Sequence, residues 1–280
     1  MKSLFVYLFA KYISYKNDFW KKNAIYVQKN TLQKLISQAK NTAFGKDHGF
    51  ETIKNHKQWI KNVPVRDYEG IKKYIDRVVA GENNVLWPKK PIYFCKTSGT
   101  TSGSKYIPIS KESMPSHIKS ARDAIFSYIL ESGNTSILNG KMIFLQGNPK
   151  LSKTSGVLTG RLSGIVAHHI PFYLKTNRLP SYKTNCIKDW EKKVDTIVDE
   201  TINQNMTLIS GIPPWVKMYF EKINRKSGVF IKEVFPNFKL FIYGGVNYAP
   251  YKKSFEKLIG KNVSSVELYP ASEGFIAYQD

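Results

Sequence analysis

Four short apolar runs in this chain each stop at glycine or proline, and three of them hand over to a helical pattern. This alternation constrains the fold more than any other feature. Lys141-Met-Ile-Phe-Leu-Gln146 ends at Gly147. Thr207-Leu-Ile-Ser210 is stopped by Gly211 and Pro213-Pro214. Those prolines suit the first turn of a helix carrying Val216, Tyr219 and Phe220. Lys239-Leu-Phe-Ile-Tyr243 runs into Gly244-Gly245, after which Pro250 opens a helix and Gly260 ends it. Ser265-Val-Glu-Leu-Tyr269, the last expected strand, enters Pro270-Ala-Ser-Glu-Gly274. Between these runs, Cys186 to Ile202 places Trp190, Val194, Ile197 and Val198 on one helical face, with charges opposite. Strands alternating with helices predict an α/β fold, a mostly parallel sheet with flanking helices. Ligands of such sheets sit outside the C-terminal ends of the strands.

The first 90 residues read as helical, which predicts two regions: a helical segment over 1–90 packed on an α/β nucleotide-binding core over 91–280. Thr31 to Lys40 carries the apolar stripe Leu32, Leu35, Ile36 and Ala39. Val63-Pro64-Val65 interrupts the pattern, and Asp67 opens a short helix through Ile71, Tyr74 and Ile75. Ser110 caps a helix through Ile118, Ala121, Ile125 and Ile129. The apolar start, Met1 to Ala10, lacks a small-residue cleavage site before Lys11-Tyr-Ile-Ser-Tyr-Lys16 and reads as an amphipathic helix. No apolar run approaches the roughly 18–20 residues of a membrane span. With only Cys95 and Cys186 and no secretion signal, the expected compartment is the cytoplasm. Two cysteines also exclude a disulfide scaffold and a four-cysteine zinc site.

Charge tempts toward nucleic acid, since 43 Lys+Arg against 21 Asp+Glu give +22. Yet lysines far outnumber arginines, and they are scattered singly or in pairs with no basic tail. Base and phosphate readers favour the bidentate fork of arginine. The distribution fits a solvated lysine surface that attracts small anions such as nucleotides, with no specific nucleic-acid partner.

One segment combines the features of a phosphate cradle. Thr97-Ser98-Gly99-Thr100-Thr101-Ser102-Gly103-Ser104-Lys105 follows the apolar run Pro91 to Lys96. Glycines let backbone N–H groups turn toward a ligand, hydroxyls add donors, and Lys105 adds charge. The spacing is not that of a Walker A loop. A flexible linker has similar composition, but its place between an apolar strand and a helix argues for binding. Glu273 offers a carboxylate suited to Mg²⁺, and a plain surface glutamate fits equally well. Gly244-Gly245 could admit a flat base against the backbone. The loops at 97–104, 244–245 and 270–274 are all expected at one sheet edge. His168-His169, read as neighbours on a strand, would face opposite ways and so not share a ligand. Cys95 and Cys186 lack activating surroundings. Trp190 and Trp215 read as core.

Thr97-Ser-Gly-Thr-Thr-Ser-Gly-Ser-Lys-Tyr-Ile-Pro108 resembles the ATP-phosphate motif of the GH3 family of acyl-acid amido synthetases. Tyr269-Pro-Ala-Ser-Glu-Gly274 is similar to that family's second motif. Val63-Pro-Val-Arg-Asp-Tyr68, Leu86-Trp-Pro88, Asp189-Trp-Glu191, Ser210-Gly-Ile-Pro-Pro-Trp215 and Gly244-Gly-Val246 occur in the family's order. The resemblance spans nearly the whole chain, lies closer to the bacterial branch, and implies the large N-terminal domain of an acyl-adenylate-forming enzyme. It implies a two-step ligase: a carboxylic acid attacks the α-phosphorus of ATP, and an amine, often an amino acid, then takes the acyl group. By position, Ser98, Gly99, Thr100, Thr101, Ser102, Gly103 and Lys105 would hold the β- and γ-phosphates. Gly244, Gly245, Tyr269, Ala271 and Ser272 would frame adenine and ribose, and Glu273 would bind Mg²⁺. No residue of the chain is assigned as catalytic.

Family members continue beyond the second motif into a third motif and a mobile C-terminal domain, whereas this sequence stops at Asp280. The expectation is therefore a fragment or truncated product without the C-terminal domain, inactive or very weak alone in the full reaction. Two rivals remain: a non-catalytic basic protein binding nucleotides or nucleic acid, and an acyl-adenylating ligase that makes a CoA thioester.

Overall fold

The computed structural model describes residues 2–98, 104–170 and 172–279. Ten strands follow in chain order among them: β1 (Tyr93–Ser98), β2 (Ser104–Ile109), β3 (Lys141–Phe144), β4 (Ser152–Thr154), β5 (Val157–Gly160), β6 (Arg178–Leu179), β7 (Met206–Ser210), β8 (Leu240–Gly244), β9 (Ser264–Pro270) and β10 (Phe275–Tyr278). The chain forms two compact units that interleave in sequence. The first comprises residues 1–14, 116–150 and 161–280, the second residues 15–115 and 151–160. Residue 90, where the sequence changes character, lies inside the second unit.

The first unit is built on a six-stranded sheet ordered β10-β9-β8-β7-β3-β6, parallel throughout except for the β9–β10 pair. Alternation along the strands sorts its core into two layers. Ile143, Ile209 and Phe241 face one side, where the helices Trp190–Thr201, Pro213–Ser227 and Lys252–Ile259 contribute Val194, Ile197, Phe220 and Phe255. Met142, Leu208, Leu240, Ile242 and Val266 face the other, packed on Ala10, Ile129 and Ile137. Helices on both faces of a parallel sheet are the doubly wound arrangement that the strand–glycine–helix alternation predicts.

Local chemistry sets the boundaries. Asp189 accepts from the Lys192 N–H and starts the helix at Trp190, so the helix expected from Cys186 begins later. Cys186 instead closes a short preceding turn, Tyr182–Asn185. Pro213 and Pro214 occupy the first turn of their helix, which Gly228 closes in the left-handed conformation at φ 74°. Lys193 is buried, and its Nζ donates to the carbonyls of Gln146 and Asn185 at 2.8 Å each. That amine ties the end of β3 to the helix beside it, and burial pushes its pKa below the ordinary lysine value.

The second unit carries a four-stranded sheet ordered β2-β1-β5-β4, in which only the β1–β5 pair is parallel. Its helices include Ala24–Ala39 and Tyr68–Val79. Ile36 and Ala39 are buried with Phe50 and Ile53, while Leu35, expected on the same stripe, faces outward. Asp67 caps Tyr68–Val79 by accepting from the Gly70 N–H at 2.8 Å, and Tyr74 and Val78 pack on Phe94 of β1.

Candidate functional site

The C-terminal edge of the six-stranded sheet collects the residues that follow β3, β7, β8 and β9: Gln146, Gly211, Gly245 and the segment from Ala271. Two of the three loops expected at one edge, 244–245 and 270–274, are found there together. The register pairs Gly244 with Leu268, one residue before Tyr269. A Cβ on Gly244 would run into the Leu268 carbonyl, so only glycine lets β8 and β9 pair at this point. Gly245 turns the chain away with φ 76°, a conformation that strains any residue with a side chain.

Ala271 to Gly274 is a tight reversal between β9 and β10. The Ala271 N–H donates to the Gly274 carbonyl and the Gly274 N–H to the Ala271 carbonyl, at 2.9 and 3.2 Å. Ser272 and Glu273 stand at its tip. Glu273 is exposed and Ser272 half-buried. Tyr269 is 61% exposed, leaving its ring open at the same edge. At the end of β3, Gln146 carries a buried Nε2 with no partner among the described residues. An orphaned buried donor at the C-terminal edge of a parallel sheet, where ligands of such sheets bind, fits a polar ligand that supplies the missing acceptor. Behind the edge, Phe241, Tyr243, Tyr248 and Phe255 form an aromatic cluster with centroids 5.0–5.4 Å apart. Burial raises the Tyr243 phenol, with Glu267 adding to it, and burial pushes Tyr248 up to about 12. Both phenols stay protonated at neutral pH and offer no base.

The hydroxyl- and glycine-rich loop belongs to the other sheet. It was expected between a strand and a helix; instead it joins the antiparallel strands β1 and β2, closed by the Ser98–Ser104 pair. Lys105-Tyr-Ile-Pro-Ile109 pairs residue by residue with β1, and the helix follows only at Met114. Ser110 accepts from the Ser113 N–H in the turn before it. Gly99, Thr100, Thr101, Ser102 and Gly103 lie outside the described residues, so the structure places only the flanks of this segment. Ser98 ends β1. On the other flank, the Tyr106 N–H donates to the Tyr68 hydroxyl at 3.0 Å, and the Lys105 ammonium sits 5.0 Å above the Tyr68 ring. Tyr68 opens the helix that Asp67 caps, so the Val63–Tyr68 motif fixes where β2 leaves the loop and how Lys105 is held.

Sequence reading quoted Tyr68 only within a motif and passed over Gln146. The signal for Tyr68 was its place immediately after a capping aspartate; for Gln146 it was a polar residue closing a run of apolar ones. His168 and His169 are not on a strand. They close the helix Leu162–Ala167, with the ring of His168 at 2.8 Å from the Pro149 carbonyl. Trp190 and Trp215 are half-buried against the core, their rings tilted by 35° with centroids 4.2 Å apart.

No group of three or more His, Cys, Asp or Glu side chains converges among the described residues. Magnesium that accompanies a nucleotide takes only one or two protein carboxylates and fills its sphere with phosphate oxygens and water. The lone exposed Glu273 beside an open edge fits that pattern and does not fit a metal caged by protein alone.

Comparison with known proteins agrees with this architecture. A family model described as the GH3 family N-terminal domain matches residues 17–263. An indole-3-acetic acid-amido synthetase, GH3.15, of Arabidopsis thaliana is 28% identical over 68% of this chain and 31% of its own length. A jasmonoyl–L-amino acid synthetase of Nicotiana attenuata is 24% identical over 54% of this chain and 26% of its own. Among solved structures, a GH3.15 acyl acid amido synthetase aligns over 91% of this chain and 54% of its own with a TM-score of 0.72, at 14% identity. A 2-hydroxyisobutyryl-CoA ligase aligns over 87% and 48% with a TM-score of 0.56, at 13% identity. The chain spans about a third or less of the matched curated relatives and about half of the matched structures. The match over residues 17–263, most of the chain's length, makes this chain a member of the GH3 family.

Proposed function

We propose that the chain forms the nucleotide-binding part of an ATP-dependent acyl-acid amido synthetase acting in the cytoplasm. The observation that carries this reading is the glycine-lined edge of the six-stranded sheet. There Gly244 ends β8 and Gly245 follows it, Tyr269 lies on the paired strand β9, and Ala271 and Ser272 open the turn that exposes Glu273. On this reading Tyr269 and the turn from Ala271 frame adenine and ribose, and Glu273 holds Mg²⁺. Ser98, the loop 99–103 and Lys105 hold the β- and γ-phosphates. Magnesium would neutralise charge on the phosphates as pyrophosphate departs. The protein's share of the chemistry is alignment. Adenylyl transfer from ATP to a carboxylate needs an in-line approach and fixed charges more than a protein nucleophile. Tyr68 acts as a positioning residue, because it holds both the Tyr106 N–H and the Lys105 ammonium. The names of the relatives support a carboxylic acid as acyl donor and an amino acid as acceptor.

Exchange of labelled pyrophosphate into ATP tests the reading, with a panel of carboxylic acids and, separately, none. Exchange by the whole protein that requires both magnesium and an acid supports it. Nucleotide binding with no acid-dependent exchange by any member of the panel overturns it in favour of a non-catalytic binder. Acyl transfer to CoA in place of an amine would redirect it to a thioester-forming ligase.

A further inference from the structure

The first helix, Lys2–Lys22, is apolar on the wrong side for a helix held only by its own core. Its inner face docks through Ala10 and Val6 on the layer that contains Ile129. Phe9 adds an edge-to-face contact with Phe126 at 4.9 Å. The outer face carries Leu4, Phe5, Leu8, Tyr15 and Phe19, which are 61, 70, 51, 76 and 58% exposed. At 3.6 residues per turn these five fall within an arc of about 100°. Surface residues of this size are ordinary when scattered; five along one stripe form a patch that calls for an occupant.

We propose that this helix lies in the interface of an anionic lipid bilayer, with Leu4, Phe5, Leu8, Tyr15 and Phe19 inserted among the acyl chains. The charge of the helix selects this occupant. It carries Lys2, Lys11, Lys16, Lys21 and Lys22 against Asp18 as its one acidic residue. Lys11 and Lys22 border the apolar arc, where their ammonium groups meet phosphate headgroups as the apolar stripe sinks below them. A second copy of the chain is a poor occupant, because each carries a formal charge of +22 and would set lysines against lysines. A nucleic acid satisfies the lysines but offers no apolar medium for Leu4 and Leu8. The helix rests on the surface and does not cross it: no helix among the described residues is long and apolar enough to span a bilayer. Residues 1–16 precede the stretch matched by the family model, so most of this face is a feature of this chain beyond that match.

Cosedimentation with sucrose-loaded vesicles tests the proposal. One set is phosphatidylcholine alone and the other contains phosphatidylserine. The chain is expected to pellet with the serine-containing vesicles at low salt and to be released as salt rises. The Phe5→Ser/Leu8→Ser double variant should lower the partition about tenfold or more through lost apolar burial, with the thermal unfolding midpoint unchanged. Lys11→Gln/Lys22→Gln should lower it about fivefold and flatten the salt dependence. A chain that ignores both vesicle types overturns the proposal. So does a double variant that pellets as well as the parent. A dimer that Phe5→Ser/Leu8→Ser dissolves, with no vesicle binding, assigns the face to a second copy. Retention on DNA that the double variant keeps, again without vesicle binding, leaves the lysines to nucleic acid.

Discussion

The two sheets build their loops by different means. In the six-stranded sheet, parallel register decides everything: once β7, β8 and β9 run side by side, their ends arrive at one edge, and Gly244 and the Ala271–Gly274 turn come with them. In the four-stranded sheet, β1 and β2 run antiparallel, and topology alone brings the loop between them only to the end of a hairpin. What orients its exit is side-chain chemistry, the Tyr68 hydroxyl on the Tyr106 N–H and the Tyr68 ring under Lys105. A loop positioned by register is robust to changes in its side chains and fragile to changes in its backbone. A loop positioned by one tyrosine is the reverse.

That contrast predicts opposite mutational signatures. Gly244→Val forces a Cβ against the Leu268 carbonyl and must separate β8 from β9. It should cost about 3 kcal/mol of stability, read by urea unfolding of the whole chain. An unchanged midpoint would show that register is not what fixes this edge. Tyr68→Phe keeps the ring under Lys105 and removes one hydrogen bond. It should weaken Mg·ATP binding about fivefold, a loss of about 1 kcal/mol, while the unfolding midpoint barely moves. Unaltered affinity would detach Tyr68 from the phosphate binding proposed for the 98–105 segment.

Two buried histidines sharpen the comparison further. In the second unit the ring nitrogens of His48 are both partnered, Nδ1 with the Phe44 carbonyl and Nε2 with the Arg66 guanidinium. In the first unit His117 is 4% exposed, and its Nδ1 has no partner among the described residues. Burial lowers the pKa of His117 from 6.5, so in the window below 6.5 the unfolded chain binds a proton that the folded chain refuses. Its contribution is fully present above pH 6.5 and is lost as pH falls toward the lowered folded value. His117→Leu should flatten the acid side of the stability profile by a modest amount, measured by unfolding at pH 7 and pH 5. A profile as steep as that of the parent would place the acid sensitivity elsewhere.

How much could be read beforehand follows the same division. The parallel strands were legible because each is a buried apolar run punctuated by glycine or proline, as with Leu240 to Gly244. β4 and β5 were missed: Ser152–Thr154 is short and polar, so hydrophobic pattern says nothing about it. The clue was the Ser155-Gly156 dipeptide, whose φ values of 47° and 81° make the two-residue turn that hairpins favour. β10 was missed because Phe275-Ile-Ala-Tyr278 is an apolar run of only four residues directly after the Ala271–Gly274 turn, too short for periodicity to assign. Of the residues the motifs pointed to, Gly244, Gly245, Tyr269 and Glu273 fall on one sheet edge as the strand pattern implied. The error was to treat the hydroxyl-rich loop as a third member of that edge. Lys105 to Ile109 reads equally well as a loop exit or as a strand, and only pairing with β1 decides between them.

Glu273 offers the most direct test of the central claim, because it is exposed and its removal should leave the fold alone. Mg·ATP is titrated calorimetrically into the whole protein and into Glu273→Gln, each with and without magnesium. The account predicts that magnesium strengthens ATP binding by the parent, and that the variant binds about tenfold more weakly and loses most of that magnesium response at an unchanged unfolding midpoint. Equal affinity and an equal magnesium response in the two proteins would contradict it.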